Sequence, residues 1–598
     1  MTPRASRTAR ASRIPRRRTV LALGVILAVM CGFLVRLVDI QVLSASANVK
    51  QSVDWSLGTT REIDGARGRI VDSNGTVLAE SQLVYDLQMD PMVMHGLETG
   101  KTPPKMPWAK AADKIAAITG QTGDEVRKIA ADALAADPES QYAPIEKGLS
   151  TDQFLKIRAL GLPYLAALPR SVRVYPNGAV AGNLIGFIAG NGDKEGLEEV
   201  QNSCLSATKG HESYLTSKDG VIIPGSQQEK PAVDGGTVKL TINTELQWYL
   251  QQMISEETKT QGAKAGTVTV VEVGTGKIRA AAEYPTVDPN DPGAANPEDR
   301  GSRIFSTSFE PGSTFKAITA ASVMEYANAN ASTRITGASS HEEFPNGAVI
   351  NDAFEHPAYD YTLAGALIDS SNVALSKFGD MVTDQQRYDE LVKFGVGSKT
   401  AIDFPGEAAG EIHPVKDWDA QSHYTTTFGQ YYTVTAPQVA SAYQAIANGG
   451  VKIPLSLVES CTDAAGKVSE APAPKPQRIF DATKDAELSR MIENVAVQGS
   501  VSDQIKVPGY RIAAKTGTAQ KPDPVTHAYK DGIYFTSMVG YAPADHPEYV
   551  VVVTLDEPTR VTSSAATAPA FQKAMTQVLK TYRVQPSTTP MEPLLPKY

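Results

Sequence analysis

The sequence predicts an α+β protein: a larger domain whose sheet is closed by its two termini, a smaller domain ahead of it, and one transmembrane helix. Three observations carry this reading. Strand-like and helix-like stretches alternate over residues 238–282, residues 549–555 (YVVVVTL) read as a further buried strand, and the segment between is mostly helical. Strands at both ends of a helical segment mark a sheet closed by the two termini of its domain. Residues 19–35 form a charge-free apolar run. At 598 residues the chain exceeds what one ordinary core serves, so at least two domains are expected.

Arg4, Arg7, Arg10, Arg13, Arg16, Arg17 and Arg18 precede the apolar run, and no acid accompanies them. Seventeen helical residues span roughly 26 Å, slightly short of a bilayer core. Leu37 and Val38 extend the apolar face, and Arg36 is long enough to snorkel to the interface. A basic tail over 1–18 and an anchor over 19–39 place the N-terminus in the cytoplasm and everything beyond about residue 40 outside. A cleaved signal peptide is the rival reading. Its small-residue site, Ala45-Ser46-Ala47, lies well past the run, behind Arg36 and Asp39. The arginine pair before Thr19 only faintly suggests a twin-arginine signal, and Met30 before Cys31 does not suit a lipoprotein site.

The net charge of −9 includes those seven arginines, so the rest of the chain is strongly acidic and does not suit nucleic acid. Of three cysteines, Cys31 lies in the apolar run, and Cys204 and Cys461 are far apart. Their spacing suggests neither a disulfide framework nor a zinc site. A Cys204–Cys461 bridge is the minor reading. The eight histidines are scattered, with no HExxH pattern.

Residues 67–78 read as two strands around an Asn74-Gly75 turn. Residues 101–140 carry helical stripes, with a helix start at Thr122-Gly123-Asp124. A turn-rich stretch over 231–236 divides a smaller domain, 40–232, from a larger one, 233–583. The larger domain opens with a strand over 238–242, a helix over 244–253 and a hairpin of 266–273 with 277–282. It closes with a helix over 566–582. Residues 471–476 (APAPKP) form an exposed extended loop. From residue 584 the chain is proline-rich and is expected to be a disordered tail, 584–598. No internal repeat is evident.

Three short patterns carry the chemistry: S-x-x-K, S-x-N and K-T-G. The first occurs at Ser206–Lys209 and Ser313–Lys316, close to the roughly two matches expected by chance. The second occurs at Ser46–Asn48 and Ser370–Asn372, and the third once, at Lys515-Thr516-Gly517. Context separates them. Pro311 and Gly312 precede Ser313, and AITAASVMEYA follows Lys316, so the serine opens a helix and shares a face with the lysine. The helix N-terminus places partial positive charge at the serine. Burial and cationic neighbours can make the lysine amine neutral, and so able to take the serine proton. Ser206–Lys209 has no such context and reads as structural. Residues 510–514 read as a strand leading into K-T-G, whose glycine would let a substrate backbone approach.

EPGSTFK, DSSN and AAKTGTAQ, in that order, resemble the penicillin-binding proteins, and their spacing resembles the class B branch. The resemblance extends through RGRIVDSNGTVLA, RVYPNG, GLEEVQNSCLSATKG, LTINTELQ, FGVGSKTAIDFPGE, TFGQYYTVTAPQVASAYQAIANGG and FTSMVGYAPA. The first three of these resemble that class's pedestal, or dimerisation, domain. Ser73 departs from the family, which often has arginine there. The resemblance implies the penicillin-binding transpeptidase fold, a central antiparallel sheet flanked by helices, over 233–583 and a pedestal over 40–232.

It also implies roles. Ser313 is the nucleophile on the D-Ala–D-Ala bond of a peptidoglycan stem peptide, and Lys316 is the general base. Ser370, Asn372 and Lys515 complete the proton relay and orient the substrate. Thr516, Gly517 and Thr518 line the substrate strand, with both threonines binding the terminal carboxylate. Backbone N–H groups of Ser313 and Thr518 form the oxyanion hole. A β-lactam acylates Ser313 and stays. The cycle needs no metal or cofactor. A polytopic membrane glycosyltransferase is the implied partner, and septal wall synthesis the implied setting.

Other readings stay open to different degrees. No E-D-x-x-F-type glycosyltransferase block occupies 60–230, which argues against a bifunctional class A enzyme. G-x-S-x-G is absent, which argues against an ordinary esterase. A β-lactamase or β-lactam sensor does not explain the pedestal. An elongation-type transpeptidase, a D,D-carboxypeptidase and a non-catalytic wall-synthesis scaffold remain the alternatives.

Overall fold

The computed structural model describes residues 14–39, 58–101, 104–215, 226–471, 473–523, 526 and 528–598. The chain divides into two units. One comprises Met1–Gly65 and Thr208–Val233. It holds the helix Ile14–Val38 and an antiparallel sheet ordered Gly58–Ile63, Gly210–Leu215, Gln228–Lys230. From Val20 to Val38 the helix is long and apolar enough to cross a membrane, and its large apolar side chains are exposed. Arg36 pairs with Asp39 at 2.6 Å. Most of the basic tail, the stretch 45–47 and Ser46–Asn48 lie outside the described residues.

The other unit comprises Ala66–Ala207 and Asp234–Tyr598. Its larger part begins with helix α1 (Thr244–Gln261), where Asn243 Oδ1 accepts from the Leu246 N–H at 2.8 Å and left-handed Gly262 ends the helix. The helix is longer than the sequence suggested. Strands β1 (Ala265–Glu272) and β2 (Ile278–Tyr284) follow as a hairpin. Next come helices α2 (Lys316–Tyr326), α3 (Leu363–Ile368), α4 (Asn372–Gly379), α5 (Ala436–Ala447) and α6 (Ala482–Gln498). The chain then returns to the sheet as β3 (Ala513–Pro522), β4 (Tyr529–Ala542) and β5 (Tyr549–Asp556), and α7 (Ala568–Thr581) packs against it.

The sheet order is β2-β1-β5-β4-β3, every pairing antiparallel, so the two ends of the domain meet where β1 pairs with β5. Alternation along β5 explains its uninterrupted apolar sequence. Val550 and Val552 enter the core shared with α2 and α5, while Val551, Val553 and Leu555 enter the core shared with α1 and α7. A strand covered on both faces has no solvent side to make polar.

The Asn-Gly hairpin is present: Ile70–Val71 pairs with Val77–Met89, and Gly75 has φ 90°. Asp72 Oδ1 accepts from the Asn74 and Thr76 N–H groups, each at 2.8 Å, and its Oδ2 accepts from Thr244 N–H at 2.9 Å at the start of α1. Burial pushes this carboxyl up, but the donors outweigh it and hold it below its ordinary value. The helices Trp108–Thr119 and Gly123–Ala136 fall within 101–140, the second opened by a Thr122–Glu125 capping box.

Three of the sequence blocks quoted above converge on one buried ion cluster. Glu198, fully buried, accepts from Arg67 Nε at 2.7 Å and Arg173 Nε at 2.6 Å. Arg67 also donates to Asn202 Oδ1 at 2.7 Å, and Arg173 to the Gly68 carbonyl at 2.6 Å. Breaking such a pair from one side leaves an uncompensated buried charge.

Two expectations need correction. Cys204 and Cys461 are bridged, with Cα atoms 6.2 Å apart. Their separation of 257 residues hid this. Val458–Thr462 lies beside Thr237–Leu240, which pairs in turn with Ile70–Val71, so one sheet joins both parts of the chain and places Cys461 opposite Val238. The tail over 584–598 is not disordered. The Leu594 N–H donates to Asn494 Oδ1 at 2.8 Å and Thr362 Oγ1 to the Leu595 carbonyl at 2.7 Å. Proline lacks an N–H to satisfy, so a proline-rich segment can pack by having its carbonyls and few amides bonded by side chains. Residues 473–476 of the expected loop are exposed.

Candidate active site

Ser313 sits in a tight 3-10 turn, Gly312–Phe315, that runs directly into α2. The sequence-predicted helix start is therefore one turn of tighter winding first. Close packing locks the turn. Gly312 has φ 54°, and a Cβ there would stand 2.8 Å from the Thr518 carbonyl oxygen. The Gly312 N–H donates to the Gly429 carbonyl at 2.9 Å, and Tyr443 OH donates to the Thr314 carbonyl at 2.7 Å. Ser313 is half-buried, and Ser313 Oγ has no hydrogen-bond partner among the described residues.

Lys316 is fully buried, and its Nζ donates to the carbonyl and, at 3.3 Å, to the hydroxyl of Ser370. Lys515, buried on β3, donates from Nζ to the same hydroxyl at 2.8 Å. Ser370 Oγ therefore bridges two lysines. Burial pulls Lys316 down to about 7, with Asp352 pulling the other way. Lys515 is held well below its ordinary value by burial and then by the charge of Lys316. Two ammonium groups in one dry site disfavour each other, which keeps an amine available near neutral pH.

Ser370 has φ 54°, the left-handed region that a non-glycine residue enters only when its surroundings hold it. Part of the restraint comes from a residue the motifs do not contain. Asp352 accepts from Ser371 Oγ at 2.7 Å, from the Val373 N–H at 3.0 Å and from the Asn372 N–H. His356 Nε2 lies 2.8 Å from Asp352 Oδ2, the oxygen that Ser371 also reaches. Asn372 Nδ2 donates to the Asn351 carbonyl at 2.7 Å, leaving Oδ1 without a protein partner among the described residues.

β3 lies at the edge of the sheet and pairs with β4 alone among the described residues. Its start corrects the expectation over 510–514: the strand begins at Ala513, and K-T-G lies inside it. Thr516 and Thr518 are half-buried while Lys515 and Gly517 are buried, as alternation requires. Thr518 Oγ1 accepts from the Ser564 N–H at 2.9 Å. Gly517 also serves a contact within the protein. A Cβ there would meet Ser537 Oγ at 2.5 Å and the Pro311 carbonyl at 2.7 Å, so the missing side chain lets β3 close on the turn that carries Ser313.

Residues 266–576 match the penicillin binding protein transpeptidase domain, and residues 62–240 the penicillin-binding protein dimerisation domain. The chain belongs to the penicillin-binding proteins. A dimerisation domain ahead of the transpeptidase domain makes it a class B transpeptidase. Penicillin-binding protein PbpB of Mycolicibacterium smegmatis is 31% identical over 595 residues, covering 95% of this chain and 91% of the relative. Peptidoglycan D,D-transpeptidase FtsI of Escherichia coli K12 is 28% identical, covering 95% and 92%. The crystal structure of penicillin binding protein 3 from Mycobacterium tuberculosis complexed with aztreonam aligns with a TM-score of 0.69 at 25% identity, covering 90% of this chain and all of that one.

In this penicillin-binding protein the three motifs meet at Ser370, which Lys316 and Lys515 both reach, and the second S-x-x-K pair does not join them. Ser206 Oγ donates to Asn202 Oδ1 at 2.9 Å, and Lys209 Nζ pairs with Glu62 at 2.5 Å. Asp352, Ser371 and Glu310 were not singled out from sequence. Glu310 accepts from Tyr529 OH at 2.9 Å and the Tyr431 N–H at 2.9 Å, and burial raises its carboxyl. Glu310 stands three residues before the nucleophile and was legible as part of EPGSTFK. Asp352 carries no local signal, because the Ser371, Asn372 and Val373 groups that it bonds lie some twenty residues away.

Proposed function

We propose that this penicillin-binding protein cross-links peptidoglycan stem peptides in septal wall synthesis, with Ser313 as the acylated residue. The observation that carries the reading is the Ser370 hydroxyl held between two buried lysines, one of them a turn beyond Ser313. Lys316, as the neutral amine, takes the proton of Ser313 Oγ while that oxygen attacks the penultimate D-Ala carbonyl. Negative charge develops on the carbonyl oxygen, where the N–H groups of Ser313 and Thr518 receive it, each donor worth about 3–4 kcal/mol. The tetrahedral centre collapses, the C–N bond breaks, and D-Ala leaves with a proton relayed through Ser370 and Lys515. An amine of a neighbouring stem peptide then attacks the ester and releases Ser313. Asn372 Oδ1 orients the donor peptide, while Thr516 and Thr518 hold the terminal carboxylate. The open edge of β3 suits an extended peptide, which would gain main-chain hydrogen bonds there. A β-lactam enters the same path, and its leaving group stays tethered.

Full-length protein in detergent, treated with penicillin, gives a mass adduct on the peptide containing Ser313. Donor peptide plus an acceptor amine gives a cross-linked product. Free D-Ala with no cross-link under any acceptor identifies a D,D-carboxypeptidase instead.

The setting is part of the proposal. The names of the FtsI and PbpB relatives support division, and a fluorescent fusion then gathers at midcell; lateral labelling identifies elongation. The arginine tail and apolar helix support an uncleaved anchor with the catalytic domain outside. Protease on wall-stripped cells then leaves a short N-terminal fragment, whereas a mature start at Asn48 refutes the anchor. Arg36 and Asp39 stand at the outer end of the helix, Gln41 follows in the sequence, and this polar set suits contact with a polytopic glycosyltransferase. Replacing residues 19–41 with an unrelated anchor abolishes complementation but not β-lactam binding if that contact exists.

A further inference from the structure

The segment after α7 is fastened along a continuous path that ends at the catalytic turn. Ser587 Oγ and Thr589 Oγ1 donate to the Asp545 carboxylate at 2.7 and 3.0 Å, and Arg511 donates to Thr589 Oγ1 at 2.6 Å. Arg490 pairs with Glu592 at 3.0 Å. Asn494, fully buried on α6, donates to the Glu592 carbonyl at 3.1 Å and accepts from the Leu594 N–H at 2.8 Å. Thr362, the N-cap of α3, donates to the Leu595 carbonyl at 2.7 Å through its hydroxyl and to the Pro596 carbonyl at 3.2 Å through its N–H. Lys597 Nζ then pairs with Asp369 Oδ2 at 2.6 Å, lying 4.0 Å from the Tyr359 ring centroid. Tyr361 OH donates to the same carboxylate oxygen at 3.0 Å. Asp369 is the residue before Ser370.

The body of the protein is shaped for this segment. Two partners of the buried Asn494 amide belong to it, beside the Arg490 carbonyl and Gln498 Nε2, and a buried amide that loses partners is destabilised. Gly365 on α3 has no room for a side chain, because a Cβ would stand 1.7 Å from the Pro596 carbonyl oxygen. Prolines at 586, 590, 593 and 596 stiffen the segment and lower the entropy lost in docking it. A passive tail needs no glycine cleared beneath it.

We infer that residues 592–598 are a positioning strap for the catalytic turn, with Lys597 as the clamp that holds Asp369 and thereby the left-handed Ser370. The inference rests on Ser370 acting between Lys316 and Lys515. Lys597 touches no reacting atom; it acts through Asp369. A cation spread over Tyr359 and paired with one carboxylate is a rigid fastening, and arginine can reproduce both contacts.

The test uses full-length protein in detergent and a fluorescent penicillin, with the pre-covalent dissociation constant and the acylation rate constant measured separately. Lys597→Met is expected to lower the rate constant about 3- to 10-fold, since small misplacement of a reacting group is enough. The dissociation constant and thermal midpoint stay near those of the parent. Lys597→Arg recovers most of the rate. Lys597→Met combined with Asp369→Asn is no slower than the slower single variant, as expected when both remove one interaction. Unchanged acylation in Lys597→Met and in a chain shortened after Met591 would overturn the strap. So would a loss that follows the thermal midpoint and is not recovered by arginine. Retained labelling in Ser313→Ala would instead overturn the underlying site, so the two failures are distinct.

Discussion

Lys316 and Lys209 each follow a serine by three residues, yet they are opposites chemically. Lys316 is fully buried, has no acid in direct contact, and is pulled down to about 7 by desolvation. Lys209 is exposed and is held above its ordinary value by its hydrogen bond to Glu62. One is poised to accept a proton near neutral pH; the other is a solvated cation throughout that range. A four-residue pattern therefore selects a candidate, and burial decides whether it is a base. The surroundings of Ser206 tell the same story. It lies two residues past Cys204, in a segment whose partners are a disulfide and Asn202.

The largest effect comes from the nucleophile itself. Ser313→Ala forms no penicillin adduct by mass spectrometry, because no acyl ester can form. An adduct on any peptide lacking Ser313 breaks the contrast outright.

Next is the base. Lys316→Ala keeps the serine but acylates about 10²- to 10⁴-fold more slowly, the usual range for a lost general base. Lys316→Arg is nearly as slow, since a guanidinium stays protonated. Stopped-flow labelling at near-parent rates for Lys316→Arg would remove the lysine from the base role.

A subtler contrast is the pH profile. Only the neutral amine accepts a proton, so acylation is full above the Lys316 pKa and lost as pH falls through about 7. Below that point the rate drops about tenfold per pH unit. Lys209→Met leaves this limb where it was, and a shift with that variant would show the two lysines to be coupled.

The smallest effects on acylation belong to the structural segment. Cys204→Ser lowers stability by about 2–4 kcal/mol, read from denaturant unfolding, while the folded protein labels normally. Ser206→Ala labels at the parent rate and shows no comparable loss of stability. A labelling defect in either would mean that the segment reaches the site.

Sequence by itself determined the features whose signal is local. The apolar helix, the Asn74-Gly75 turn, the helix start at Thr122 and the buried strands all have short periods or adjacent partners, so their physics is complete within a few residues. Ser313, Lys316, Ser370 and Lys515 were also legible, each within a motif of three or four residues. Tertiary structure decided what no local pattern encodes. It brought Asp352 under the Ser371 turn, used Gly517 to seat β3 on the serine, and joined Cys204 to Cys461. It also turned a proline-rich tail into a segment bonded at Asn494, Thr362 and Asp369. Each of these depends on which distant surfaces meet once the sheet closes through β1 and β5, and chain separation carries no trace of that meeting. The depressed lysines belong to the same class: their chemistry is set by the water they lose, and only packing removes it.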